Sequence, residues 1–384
     1  MRHLDRLSIL SIALLPFINF SPLSSSGISF SLLGFLAGFV ALIKRKRVFI
    51  SPEAMFFLFF VLCLVISQIY SSSSVSNKYF SQIINYFLTF ICFISFNSLA
   101  SYFGKRVVYE YYFKFGLILN LVTFCFFIIS YNLKSDAFSS LFFYFFNNSG
   151  SYSANGLNLF DGSFFNNVRM NLFFPEPSFY AMHITTLIGV GIIIKKPNYL
   201  IAMLLVFLFL TLGRTGIFAT LVLFLSILFV RIFKPNNLSR GFIGIFLLIF
   251  PLLAFLGLFT FLAEFDASFF QRMDSINNAL SFFQDSLFFG HGFDTYANLM
   301  RASGFHSGGI FNYPLQLMVS AGLVGFIPFI FFIFSIFYSS SQKEFPILCS
   351  IMTIISTIPA ITIYFLIFIM AVSSSKKNQY EDIK

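Results

Sequence analysis

Apolar residues fall along this chain in runs about as long as a bilayer is thick, with short polar breaks between them. Runs near 7–20, 27–43, 53–70, 80–100, 107–130, 178–194, 198–212, 215–232, 241–262 and 311–338 each read as a membrane-spanning helix. Roughly 20 apolar residues cross the ~30 Å hydrocarbon core. A last stretch, 345–372, is long for one helix and short for two, and Pro359 in its middle would kink a helix or turn a hairpin. The hairpin is favoured because it returns Lys376 and Lys377 to the basic face; it brings the count to 12 spans, against 11 for a single helix. The first run has no small-residue cleavage site and more spans follow it, so it is expected to be retained as a helix. The predicted fold is an all-α polytopic integral membrane protein, one membrane domain over 1–384.

Two connections stand out by length, 131–177 and 263–310. Long connections between otherwise tightly joined helices are where function concentrates. In the second, Phe265, Phe269, Met273, Ile276, Leu280, Phe283 and Leu287 recur at spacings of three and four, the stripe of an amphipathic helix expected to lie along the membrane–water boundary. The first is rich in Asn, Ser and Gly with Phe pairs, has no regular period, and is polar enough for sugar contacts.

Composition agrees with a membrane solvent. Hydrophobic residues make up 58% and charged ones only 10%, well outside the soluble globular range. The 63 Phe with no Trp leave interfacial anchoring to the 17 Tyr, and the Phe excess is expected to be lipid-facing filler. A formal charge of +10 suggests nucleic acid until its distribution is seen. The cations cluster at Lys44-Arg45-Lys46-Arg47, Lys105-Arg106, Lys195-Lys196, Arg231/Lys234/Arg240 and Lys343, all on one predicted face together with Arg2 and Arg6. By the positive-inside rule that face is cytoplasmic, which puts both long loops on the outer side. Cys63, Cys92, Cys125 and Cys349 all lie within apolar runs, so no disulfide framework is implied. Glu110 and Lys114, spaced i to i+4, are expected to form a structural ion pair near the cytoplasmic end.

Against that topology, a few cations stand on the face that insertion disfavours. Arg169 runs through Phe174-Pro175-Glu176-Pro177-Ser178 into the start of a span, Arg214 sits in the Gly213-Arg214-Thr215-Gly216 turn between two spans, and Arg272 lies in the second long loop. A guanidinium is always charged, and its planar donor fork suits phosphate oxygens, so three of them can neutralise a lipid diphosphate at this depth. If a sugar departs from that diphosphate, stabilising the leaving oxygens is the main electrostatic demand, and arginines meet it without a metal. An acceptor hydroxyl then needs a base. His306, in Phe305-His306-Ser307-Gly308-Gly309 at the end of the second loop, is the candidate, with His291 of Gly290-His291-Gly292 as a weaker one. Glu176, held between two prolines, either caps the helix that follows or is a second catalytic candidate beside His306, placed to orient an arginine. His183, one turn inside a span, reads as a packing or hydrogen-bonding residue, and Lys78, Lys134 and Arg301 take no role. No zinc-ligand spacing, phosphate loop or dinucleotide fingerprint occurs, so no metal or other cofactor is expected.

Arg169 with Phe174-Pro175-Glu176-Pro177-Ser178, Arg214-Thr215-Gly216, Arg272, Gly290-His291-Gly292, and His306 followed by Ala321-Gly322-Leu323-Val324-Gly325 resemble the bacterial O-antigen polymerases (Wzy-type) of the O-antigen ligase-like superfamily. The resemblance covers about residues 165 to 330. It implies a GT-C-like glycosyltransferase architecture in which Arg169, Arg214 and Arg272 hold an undecaprenyl diphosphate-linked glycan and His306 activates the acceptor. It also implies an inner-membrane location, with both donor and acceptor lipid-linked oligosaccharides. The family's usual His-Asn pair is His306-Ser307 here. An O-antigen ligase acting on the lipopolysaccharide core and a lipid-linked oligosaccharide flippase are the alternatives; a flippase would be expected to show internal repeats and mid-membrane charge, which the chain lacks. The sugars, the linkage, the oligomeric state and the involvement of a chain-length regulator stay open.

Overall fold

In the computed structural model, residues 50–70, 77–133, 177–257, 267–292, 312–357 and 364–375 are described, with isolated positions at 12, 39, 43 and 299. Every element among them is an α-helix: α1 Pro52–Tyr70, α2 Asn77–Phe103, α3 Lys105–Leu133, α4 Pro177–Ile193, α5 Asn198–Thr211, α6 Arg214–Phe233, α7 Asn237–Gly257, α8 Ala267–Asp285, α9 Tyr313–Ser339, α10 Phe345–Ile355 and α11 Tyr364–Ser374. By length and composition, segments of α1, α2, α3, α6 and α9 can each cross a membrane. The chain is an all-α polytopic membrane protein. The spans expected over 7–20 and 27–43 and most of the first long loop lie outside the described residues.

The helices gather into two compact units, one built on 95–227 with 364–384 and 1–49, the other on 50–94 with 228–363. In the second, α1 runs antiparallel to the C-terminal part of α9 through stacked rings: Phe57 on Phe332 at 4.6 Å between centroids, Phe60 on Phe329 at 5.2 Å, and Phe93 edge-on to Phe332 at 5.6 Å. These rings are fully buried. The expectation that Phe is lipid-facing filler therefore fails here, whereas rings such as Phe209 and Phe242 are exposed. Between helices in lipid, cohesion rests on close packing rather than on water exclusion, and flat rings supply it.

The run 311–338 reads as one span but folds back on itself. Gly322 takes φ 59°, ψ −159°, a conformation open essentially to glycine alone, and breaks α9 into arms 313–321 and 323–339. Tyr313 lies 5.3 Å from Phe329 between ring centroids, whereas an unbroken helix would hold them roughly 24 Å apart along its axis. A Cβ on Gly325 would likewise touch the side chains of both Ala321 and Leu317. The short arm therefore begins level with Phe329, about 10 Å along the long arm from the bend.

At that depth, Asn312 caps the short arm. Its Oδ1 accepts from the Leu315 amide at 2.9 Å while its Nδ2 donates to the Ser356 carbonyl at 2.8 Å. Ser356 ends α10, an eleven-residue helix, about 16 Å long and roughly half the core thickness. The carbonyl end of one half-helix thus meets the amide end of another, an arrangement in which their dipoles attract. Tyr313 continues the polar contact, its hydroxyl 3.0 Å from that of Tyr86.

In the first unit, Gly116 of α3 meets Leu187 of α4, Gly191 of α4 meets Phe113 of α3 and Ile201 of α5, and Lys196 Nζ lies over the Phe113 ring toward the Lys105 end of α3. Lys105 Nζ donates to the Ser373 carbonyl at 2.7 Å, so eleven-residue α11 finishes beside the start of α3. Glu110 pairs with Arg106 at 3.2 Å rather than with Lys114. Both positions sit i to i+4 from Glu110, and the pair with Arg106 is solvent-facing.

Candidate functional site

Arg214 is the first residue of α6, at the end of the first unit opposite the Lys195-Lys196 turn, with α5 between them. Three contacts shape its turn. Leu212 ends α5 in the left-handed region at φ 50°, uncommon for a branched side chain. Thr211 Oγ1 then accepts from the Gly213 amide at 3.0 Å, and the Ile217 amide returns to the Gly213 carbonyl at 3.1 Å. Arg214 itself is exposed.

On its other side the turn is pressed onto α4. A Cβ on Gly216 would stand 2.4 Å from the Ala181 Cβ and 2.7 Å from its carbonyl carbon, so two backbones touch with nothing between them. Gly216 therefore leaves no room for a ligand on this side, which α4 fills. Fully buried Thr185 lies beneath this contact, its Oγ1 2.9 Å from the Ala181 carbonyl, 3.0 Å from the Gly216 carbonyl and 2.8 Å from Thr220 Oγ1. Ala181 is one turn into α4, which begins at Pro177, the residue after Glu176. The helix starts that follow Glu176 and carry Arg214 therefore lie side by side.

A cation on the first residue of a helix opposes the dipole, at about 0.3–1 kcal/mol. The same end favours an anion, because the first-turn amides and the guanidinium point their positive charge the same way. Deeper along α4 a buried polar seam faces α3. Tyr180 donates to Asn120 Oδ1 at 2.7 Å, and the Tyr112 hydroxyl stands 2.7 Å from Thr186 Oγ1 and 3.2 Å from His183 Nδ1. His183 is thus a hydrogen-bonded interior residue.

In the second unit, α8 carries Arg272, whose backbone lies in its second turn. Ile276 and Ala279 of α8 pack on Leu315 and Val319 of the α9 short arm, with Leu280, Phe282 and Phe283 against them. The middle of the apolar stripe thus rests on protein. The chain then crosses the α9 bend as paired backbone: His291 and Gly292 amides donate to the Val319 and Ser320 carbonyls at 2.8 and 2.9 Å, and Leu323 and Val324 amides donate to Leu287 and Phe288 at 2.9 and 3.1 Å. His291 Nε2 lies 2.6 Å from the Phe282 carbonyl, which only accepts, so that nitrogen carries the proton. Its contacts pin the end of α8 to the bend.

Arg169, Glu176 and His306 lie outside the described residues. Of the site residues expected from sequence, Arg272 and His291 fall in one unit and Arg214 in the other. Among the described residues no three His, Cys, Asp or Glu side chains converge on a point that could hold a metal ion.

Residues 199–330 match the Wzy_C family, described as O-Antigen ligase. That segment, about a third of the chain, is similar to the O-antigen ligase-like superfamily. The superfamily match is narrower than 165–330: it runs from α5 into the long arm of α9 and takes in Arg214, Arg272, His291 and His306, leaving Arg169 and Glu176 outside. Comparison with curated proteins and with solved structures gave no match. The match supports a membrane protein of the O-antigen ligase or polymerase type.

Sequence reasoning missed Thr185, Ala181 and Asn312. Asn312 had a readable signal, a capping residue followed two positions later by Pro314. Thr185 had none, since a Thr inside an apolar run looks like filler.

Proposed function

We propose that this protein is an O-antigen polymerase, a metal-independent glycosyltransferase that joins undecaprenyl diphosphate-linked oligosaccharide repeat units at the periplasmic face of the bacterial inner membrane. The observation that carries the reading is Arg214: an exposed guanidinium at the amide end of a helix, at the opposite end of its unit from the Lys195-Lys196 pair, inside the segment that matches the family. Arg169 and Arg272 join it in holding the diphosphate. His306 takes the proton of the acceptor hydroxyl as that oxygen bonds to the anomeric carbon. The bond from that carbon to the diphosphate oxygen breaks in the same event, and the leaving diphosphate keeps the electron pair. Glu176 orients an arginine.

The second reading is an O-antigen ligase, the activity by which the matching family is described. His306→Ala and Arg214→Ala, each checked for membrane expression, separate the two on a gel of surface lipopolysaccharide. A polymerase loses the ladder while one repeat unit stays attached to core. A ligase loses all attached glycan while long lipid-linked polymer accumulates. An unchanged ladder in both variants overturns the site.

A further inference from the structure

We propose that Thr185 is a positioning residue for diphosphate binding, acting through the Gly216 carbonyl on the turn that carries Arg214. The proposal rests on the reading of Arg214 as a diphosphate ligand and adds to it the device that sets where that guanidinium stands.

The α4–α6 contact at this point is backbone on backbone, because Gly216 admits no Cβ against Ala181. Such a contact sets the distance between the helices and leaves them free to slide and rotate on one another. A slip of one residue along α6 moves its start by about 1.5 Å and turns its first side chain by about 100°. Thr185 supplies the missing restraint. Its single hydroxyl proton is shared between the Ala181 and Gly216 carbonyls, 2.9 and 3.0 Å away, and its oxygen accepts from Thr220 Oγ1 at 2.8 Å. With Thr220 on α6, one turn beyond Gly216, these contacts tie α4 to two successive turns of α6 on one face. Arg214 lies two residues before the tied carbonyl, and Thr211 holds the turn on the other side through the Gly213 amide. The cation is therefore held between two fixed points while its own side chain remains exposed.

Valine has nearly the shape of threonine and no hydroxyl, so it would fill the same space and keep the fold while releasing the register. Serine keeps the hydroxyl.

The test uses full-length protein in phosphatidylcholine nanodiscs, with undecaprenyl diphosphate as the binding probe. Arg214→Ala, Thr185→Val, Thr185→Ser and Thr220→Val are compared, each with its melting temperature. Thr185→Val is expected to weaken binding about threefold to tenfold, the scale of one or two hydrogen bonds, at an unchanged melting temperature. Thr185→Ser should bind like the parent. Thr220→Val, which removes one partner of the Thr185 hydroxyl, should show a smaller loss in the same direction, and it carries the test if Thr185→Val does not accumulate. Parent-like binding by Thr185→Val, or by Thr220→Val in its place, while Arg214→Ala loses binding overturns the positioning role and leaves the diphosphate reading standing. A Thr185→Val loss that tracks a fall in melting temperature and is not restored by serine also overturns it, as a packing effect alone. Parent-like binding by Arg214→Ala removes the diphosphate reading itself.

Discussion

Replacing Gly322 by alanine should open the α8–α9 crossing. The bend at Gly322 has φ 59° and ψ −159°, and an alanine held there costs about 1–3 kcal/mol in backbone strain alone. Its Cβ would also stand 2.3 Å from the Phe288 carbonyl oxygen and 2.7 Å from the Gly290 nitrogen, both backbone atoms that cannot swing aside. The strands must part, and the Leu323–Leu287 and Val324–Phe288 hydrogen bonds go first, at about 0.5–1.5 kcal/mol each. The sum is about 2–6 kcal/mol, so the crossing should open roughly 30-fold to 10⁴-fold more often. Hydrogen exchange on purified protein reads this directly at the His291, Gly292, Leu323 and Val324 amides. Gly104 provides the control, because it also has a positive φ, 84°, but an added Cβ there meets nothing within 4 Å. Gly104→Ala should leave those four amides unchanged. Parent exchange rates in Gly322→Ala would refute the close backbone crossing.

Asn312→Ala should lower the melting temperature by removing a helix cap and leaving the buried Ser356 carbonyl unbonded, about 2–4 kcal/mol together, while Asn312→Ser keeps the cap and loses less. Equal melting of the two variants would show that the link between half-helices contributes nothing. Phe332→Ala should cost about 3–5 kcal/mol, since Phe57, Phe93 and Phe329 all pack on that ring; a loss under about 1 kcal/mol in a denaturation series would mean it faces lipid. Arg106→Ala and Glu110→Ala should each change stability by no more than about 0.5 kcal/mol, because the pair is solvent-facing and its charge is screened. A double-mutant cycle giving more than about 1 kcal/mol would place that pair in a drier setting.

Much of the site was legible because it breaks a rule of charge. Arg214 lies between two apolar runs, one run away from the Lys195-Lys196 cluster, and no folding detail is needed to see that. The amphipathic period over 265–287 was legible too, since spacing alone exposes a stripe. The stripe's partner was not: Ile276 and Ala279 meet Leu315 and Val319, which a period measured along one helix cannot name. The bend in α9 was hidden for a related reason. Hydropathy measures how apolar a run is and says nothing of its direction, so 311–338 looks the same whether it crosses once or turns back at Gly322.

By itself the sequence determined the solvent, the helical class, the basic face and the short roll of cations and histidines able to do phosphate and proton chemistry. All of these follow from residue type and local order, because lipid demands helices with satisfied backbones and insertion sorts the charges. The tertiary structure alone decided that Gly216 is filled by Ala181, that Thr185 reaches across to its carbonyl, that His291 pins a loop, and that Asn312 joins two half-helices at depth. Each is a contact between positions distant in the chain, where what matters is the atom that comes to stand opposite.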